Sequence, residues 1–406
     1  MNIRTISQMA AQPTVAFIIL MGVVSLFADM THEGARSIYG AYLPLLGLSA
    51  TMIGFVTVLG EFIGYALRLL TGVIADKSRN YWGMTIVGYG INVIAIPTLA
   101  LVPENGWMLA CVLIILERTG KAIRQPAKNT LLSYASSQVG LGKGFAVQEF
   151  LDQLGAFLGP MLLFCVLWLK GGRDSLEAYA ACFAALTIPA VLTMFFLLKA
   201  RRKFPHPERF EQDTETNLES RTQKRFFLYI LAIGCFALGF VDFPLITMHV
   251  AKLKVIPADM LPLLYAGAML VDAFAALFFG WLFDRIHFQA LIISGLLAAF
   301  FAVFIFFINT GWGVIIGVIL WGIGMGAQES ILKSAVVTLT PRENRSTSFG
   351  IFESCFGLCW FLGSWLMGWL YDTHLTSMVL FSVIMQLVAI PLYAFLQAGN
   401  VAQKER

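Results

Sequence analysis

Asp29, His32, Glu33 and Arg36 recur at intervals of three and four in an otherwise apolar stretch. That spacing puts all four on one face of a helix. Two carboxylates and an imidazole in apolar surroundings are suited to taking up and releasing protons. Burial raises a carboxyl pKa, and a basic neighbour lowers it again. Asp29 and Glu33, with Asp152 further along the chain, are the leading candidates for such a proton-coupling role. His32, whose type titrates near neutrality, stands behind them.

A second set, Glu117, Lys121, Arg124 and Lys128, is spaced four, three and four apart and shares another helix face. Its cations could hold an anionic solute or a solute's carboxylate. Glu61 and Arg68 share a face of a further helix, as do Gln148, Asp152, Gly155 and Gly159. Such faces cannot look at lipid, because each ionisable group costs about 2.5–3.5 kcal/mol in the membrane centre. They line an aqueous cavity or pair with one another. Depth along the helices, at about 1.5 Å per residue, predicts two ion pairs, Arg124–Asp152 and Lys128–Glu149. The second half of the chain is sparser, with Asp242, Asp272, Glu329, Lys333 and Glu353; Glu329 and Lys333 are four apart and placed to neutralise each other. His249 falls near a helix end and is expected to face water. Membrane acids outnumber membrane bases, so the substrate's charge stays open.

The elements that position these groups follow from composition. The chain has 406 residues, 58% hydrophobic and 13% charged, with a mean hydropathy of +0.77. No water-soluble fold hides that much apolar surface. A span needs roughly 20 apolar residues, and in lipid only helices or closed barrels satisfy the backbone. The runs are long and do not alternate, so they are helices. The predicted spans are 14–45, 50–75, 82–102, 107–135, 144–168, 177–199, 226–250, 259–284, 288–309, 312–339, 347–371 and 376–397. Lys and Arg between spans lie overwhelmingly on one side, seventeen against four, with seven more inside spans. By the positive-inside rule both termini are cytoplasmic. Residues 200–225 form the only long polar segment and read as a cytoplasmic linker between an N-terminal bundle, 1–199, and a C-terminal bundle, 226–406. The six cysteines lie scattered within apolar stretches and read as small buried hydrophobes.

The halves echo each other. Gly72-Val-Ile-Ala-Asp76-Lys77 matches Gly280-Trp-Leu-Phe-Asp284-Arg285, each where a second helix leaves the membrane. Phe27-Ala28-Asp29 resembles Phe240-Val241-Asp242, and Glu149 with Gly159 resembles Glu353 with Gly363. Six helices fused to six similar ones is the plan of a parallel-repeat secondary transporter. The chain resembles the major facilitator superfamily over nearly its whole length. Gly72 to Arg79 is similar to that superfamily's loop motif between helices 2 and 3, with Lys77 in place of the usual arginine. Gly155-x-x-x-Gly159-Pro160 is similar to the core of the motif associated with proton-coupled antiporters, whose downstream glycine pair is replaced by Leu163 and Phe164. Arg118 stands in the fourth span without the usual Arg-x-x-Gln-Gly.

The resemblance implies an all-α integral membrane protein of twelve transmembrane helices in two pseudo-symmetric six-helix bundles around a central cavity. It also implies a multi-pass protein of the cell's inner membrane that works as a monomer, by alternating access, on a small-molecule substrate. Gly72, Asp76, Arg79, Asp284 and Arg285 then form a gate, since a carboxylate at a helix end can accept hydrogen bonds from a neighbouring helix N-terminus. Proton coupling and export by antiport are expected; import of an anionic metabolite, or membrane sensing, is the alternative. The five histidines are far apart, and no His-x-x-x-His, nucleophile elbow or phosphate-binding loop appears. Those absences argue against a membrane enzyme and an ATP-driven pump, and no cofactor, metal or nucleic-acid partner is expected.

Overall fold

The computed structural model describes residues 13–48, 50–170, 175–211, 221–256, 261–308 and 310–404. Fifteen α-helices are found there: α1 (Pro13–Leu45), α2 (Ala50–Ser78), α3 (Tyr81–Thr98), α4 (Trp107–Val139), α5 (Leu141–Leu169), α6 (Leu176–Ala185), α7 (Thr187–Lys203), α8 (Arg221–Gly239), α9 (Phe243–Leu253), α10 (Leu261–Ile286), α11 (Phe288–Ala298), α12 (Phe301–Phe306), α13 (Gly311–Leu339), α14 (Arg345–Thr373) and α15 (Leu375–Lys404). No strand occurs among the described residues. Among the described residues, ten helical stretches are long and apolar enough to cross a membrane. The equally long α2 and α4 complete the expected twelve crossings, α4 despite carrying Glu117, Arg118, Lys121, Arg124 and Lys128.

Three expected single spans are each broken in two. The sixth is α6 plus α7, where Pro189, lacking an N–H, stands in the first turn after the break. The seventh is α8 plus α9, interrupted at Phe240–Asp242 just before Pro244. Lipid offers no hydrogen bonds to the carbonyls freed there. Side chains replace them: Trp321 Nε1 donates to Val241 O at 2.9 Å, and Ser382 Oγ donates to Gly239 O at 2.6 Å. The Asp242 carboxylate accepts from the Phe243 N–H at 3.0 Å and so starts α9. The ninth is α11 plus α12, and nothing in the structure explains the break at Ala299–Phe300. Elsewhere helix starts carry polar caps: Asn80 for α3, Ser175 for α6 and Thr310 for α13.

The chain divides into two compact units. The first comprises Met1–Val139, Phe150–Gln212 and Glu343–Ile351; the second comprises Gly140–Glu149, Asp213–Arg342 and Phe352–Arg406. Each unit thus includes a short segment from the far half of the sequence. In the first unit α3 and α4 approach through Gly88 and Gly120, and α1 meets α5 where Gly155 and Gly159 face the Leu26 and Met30 carbonyls. In the second, Gly363 faces the Leu238 carbonyl, the counterpart contact in the repeat, and Gly326 faces the Asp272 carbonyl. Small residues at these crossings let backbones touch, as lipid-embedded helices require. Large apolar side chains such as Trp168, Trp312 and Trp365 are more than 70% exposed, the surface a bilayer would cover.

Candidate functional site

In the first unit the site is built on α1 and α4. His32 is 1% exposed. Its Nδ1 lies 2.9 Å from Glu117 Oε1, and its Nε2 lies 3.2 Å from Arg118 Nη1. A guanidinium only donates, so Nε2 accepts and Nδ1 carries the hydrogen toward Glu117. Glu117, 1% exposed, also accepts from Asn92 Nδ2 at 2.8 Å. Glu33 lies 3.5 Å from Arg36 and 3.5 Å from His32. The face 29–32–33–36 is therefore shared out, with His32 turned inward and Arg36 at its exposed edge.

About two turns along α1 and three along α4, the expected pairings are exchanged. Lys128, not Arg124, is the cation at Asp152, at 3.9 Å, and its ammonium also donates to Ser25 Oγ at 2.9 Å. Glu149 pairs with Lys333 at 2.8 Å, not with Lys128. Arg124, 2% exposed, lies instead over the Tyr89 ring, 4.1 Å from its centroid. Asp29 feels the charges of Asp152, Lys121, Arg124 and Lys128 together. Arg68 lies over Tyr65 at 4.5 Å. The Glu61 side chain lies outside the described residues.

The loop motifs sit on helix N-termini. In the first unit Asp76, at the end of α2, accepts from the backbone N–H of Ser346 at 3.1 Å and of Thr347 at 2.6 Å, and from Tyr81 OH at 3.1 Å. In the second unit Asp284, at the end of α10, accepts from the N–H of Gly142 at 2.7 Å and of Lys143 at 3.1 Å. Ser346 and Thr347 open α14, and Gly142 and Lys143 open α5, so each carboxylate meets N–H groups that no intrahelical carbonyl reaches. The glycines make room. A Cβ on Gly72 would stand 2.5 Å from the Ser346 carbonyl oxygen, and one on Gly142 would fall on the Gly280 carbonyl. Arg79 takes a left-handed φ of 51° where α2 ends, and Arg285 lies over Trp281 at 4.1 Å.

Beside the Ser346–Thr347 turn lies a contact the sequence did not signal. Arg345 donates to both oxygens of Glu211, at 2.7 and 2.9 Å, and to Ser133 Oγ at 3.1 Å. Phe210, just before Glu211, packs on Phe17 and Phe204, and its carbonyl accepts from Gln138 Nε2 at 2.6 Å.

In the second unit Glu149, Asp272, Glu329 and Lys333 form one buried group. Asp272 is 0% exposed, and Glu329 is hydrogen-bonded to Glu149. Glu353 is buried on α14. His249, expected in water, is 4% exposed; Tyr371 OH lies 3.0 Å from its Nδ1 and the Phe306 ring 4.7 Å away. Aromatic neighbours from α12 and α14 enclose it, which helix-end position alone does not reveal.

The sequence profile of the Major Facilitator Superfamily matches residues 14–364 and 243–405. The chain belongs to the Major Facilitator Superfamily. An uncharacterized protein of Mycobacterium tuberculosis is 37% identical over 393 residues, covering 95% of this chain and 94% of the relative. An uncharacterized MFS-type transporter of Methanocaldococcus jannaschii is 26% identical over 381 residues, covering 91% and 92%. Among solved structures the Escherichia coli fucose:proton symporter superposes with a TM-score of 0.70 at 14% identity, covering 95% of this chain and 99% of that one. This member of the superfamily is a membrane transporter rather than an enzyme, and small molecules are what such transporters bind.

Proposed function

We propose that this superfamily member is a secondary active transporter that moves a small organic solute across the inner membrane by alternating access, coupled to protons. The observation that carries the reading is the pair of carboxylate caps, Asp76 on Ser346–Thr347 and Asp284 on Gly142–Lys143. Hydrogen bonds from helix N-termini to a carboxylate are strong enough to hold one state and few enough to release. Placed symmetrically in the repeat, they suit a gate that opens and closes as the cycle turns, on the cytoplasmic side that the Lys and Arg distribution favours.

Proton coupling rests on the buried acids. Asp152 meets Lys128, Asp29 sits among three cations, and Glu149 and Glu329 lie together beside Lys333. Each arrangement lets a carboxyl gain or lose a proton as its cation moves. The Gly155 and Gly159 contact with α1 supports antiport, hence export. A single chain suffices for all of these steps.

The test is proton flux in proteoliposomes on adding a broad solute panel, with wild type, Asp152→Asn and Glu329→Gln. Saturable solute movement with proton counterflow, lost in either variant, is the expected result. Saturable movement with no proton flux removes the coupling. Binding with no movement of any bound solute turns the reading to a sensor.

A further inference from the structure

Arg124 is the largest fully buried side chain among the described residues. Its Nε and Nη2 have no hydrogen-bond partner among the described residues, and its guanidinium lies over the Tyr89 face. A guanidinium stays charged at any physiological pH, and buried donors are nearly always satisfied. The neighbouring cation does not behave this way: Lys128 holds both Asp152 and Ser25 Oγ.

The pair of unmet donors has a specific geometry. Nε–H and Nη2–H lie along one edge of the guanidinium and point the same way, spaced to meet the two oxygens of a carboxylate. Tyr89 backs the flat face and holds the plane. Lys121 adds positive charge nearby. The cavity next to this region, lined by Tyr89, Asn92, Ala28 and Thr31, has a volume of about 10 Å³, room for one water. That cavity is too small for an organic solute.

Building on the transporter reading, we propose that Arg124 is the substrate anchor and that the substrate is a small organic acid, whose carboxylate docks in two-point fashion on the Nε–Nη2 edge. Tyr89 is a positioning residue that fixes the plane of that edge.

The test is thermal unfolding of the purified full-length protein in nanodiscs. The probes are lactate, succinate, citrate and benzoate, each beside its amide, with chloride and inorganic phosphate added separately. At least one carboxylate is expected to raise the wild-type midpoint while its amide and chloride do not. Arg124→Lys keeps the charge but loses the fork, and is expected to weaken that carboxylate's apparent affinity by about tenfold or more. Arg124→Gln is expected to unfold at or above the wild-type temperature without ligand and to show no carboxylate shift. The proposal is overturned if no carboxylate shifts wild type, if amides or chloride act equally, if phosphate acts alone, if Arg124→Lys binds as wild type, or if Arg124→Gln is markedly less stable. Flux separates the two readings. A carboxylate that binds through Arg124 but never crosses sinks the transporter, and saturable transport of uncharged solutes unaffected by Arg124→Gln sinks the anchor.

Discussion

Glu211 grips Arg345 through both carboxylate oxygens, at 2.7 and 2.9 Å, with the arginine side chain 5% exposed and the glutamate 17%. Arg345 immediately precedes the two residues whose N–H groups Asp76 accepts. The polar segment after α7 therefore braces the same helix start that the loop-motif aspartate caps. Replacing Glu211 by alanine strands the guanidinium, so a loss of about 3 kcal/mol is expected, at the low end for broken buried pairs. Unfolding in nanodiscs checks this, and a variant as stable as wild type removes the brace.

Asp76→Asn and Asp284→Asn each keep one acceptor oxygen but lose the charge that strengthens the backbone hydrogen bonds. Each is expected to cost about 1–2 kcal/mol. The two carboxylates belong to different compact units, so the double variant is expected to lose the sum to within about 0.5 kcal/mol. A double-mutant cycle on unfolding free energies measures any departure.

Gly142→Ala places a methyl group on the Gly280 carbonyl, with backbone on both sides and no flexible side chain to yield. Overpacking of that kind is expected to cost about 1–3 kcal/mol or more. Gly40→Ala is the control, since nothing lies within 4 Å of its added Cβ. There the helix gains up to about 1 kcal/mol from the better propensity. Melting temperatures should move in opposite directions, and a matched fall in both would show that glycine content, not the crossing, is what matters.

Glu117→Gln removes the charge that faces His32, Arg118 and Asn92 at once. Leaving the buried Arg118 guanidinium without its carboxylate is expected to cost about 3–5 kcal/mol. Expression level and unfolding report the loss. Asn92→Ala, which removes only a neutral donor, is expected to cost about 1 kcal/mol.

The helices were legible because apolar run length is set by bilayer thickness, and the matched loop-motif aspartates because the repeat shows them twice. The ion pairs were not. Arg124 and Lys128 are one helical turn apart, as nearly are Glu149 and Asp152, so a depth estimate off by one turn moves every partner along by one. Depth also ignores rotation about the helix axis, which takes Arg124 to Tyr89 and brings Lys333 to Glu149. Glu211 gave no signal, since one acid among the mixed charges of the segment after α7 looks like any other until Arg345, 134 residues later, closes on it. The break at Ala299–Phe300 was hidden because its residues are as apolar as the helices on either side.

The exchanged segments Gly140–Glu149 and Glu343–Ile351 set an order on biosynthesis. Asp76 leaves the ribosome some 270 residues before the Ser346 and Thr347 amides it will accept. The first unit thus waits with its capping carboxylate unmet by those amides until the chain is more than four-fifths made. Domain-by-domain completion, the usual course for a growing chain, is closed to this protein. A nascent chain arrested before residue 343 would hold every residue of the first half and still lack the piece that finishes it.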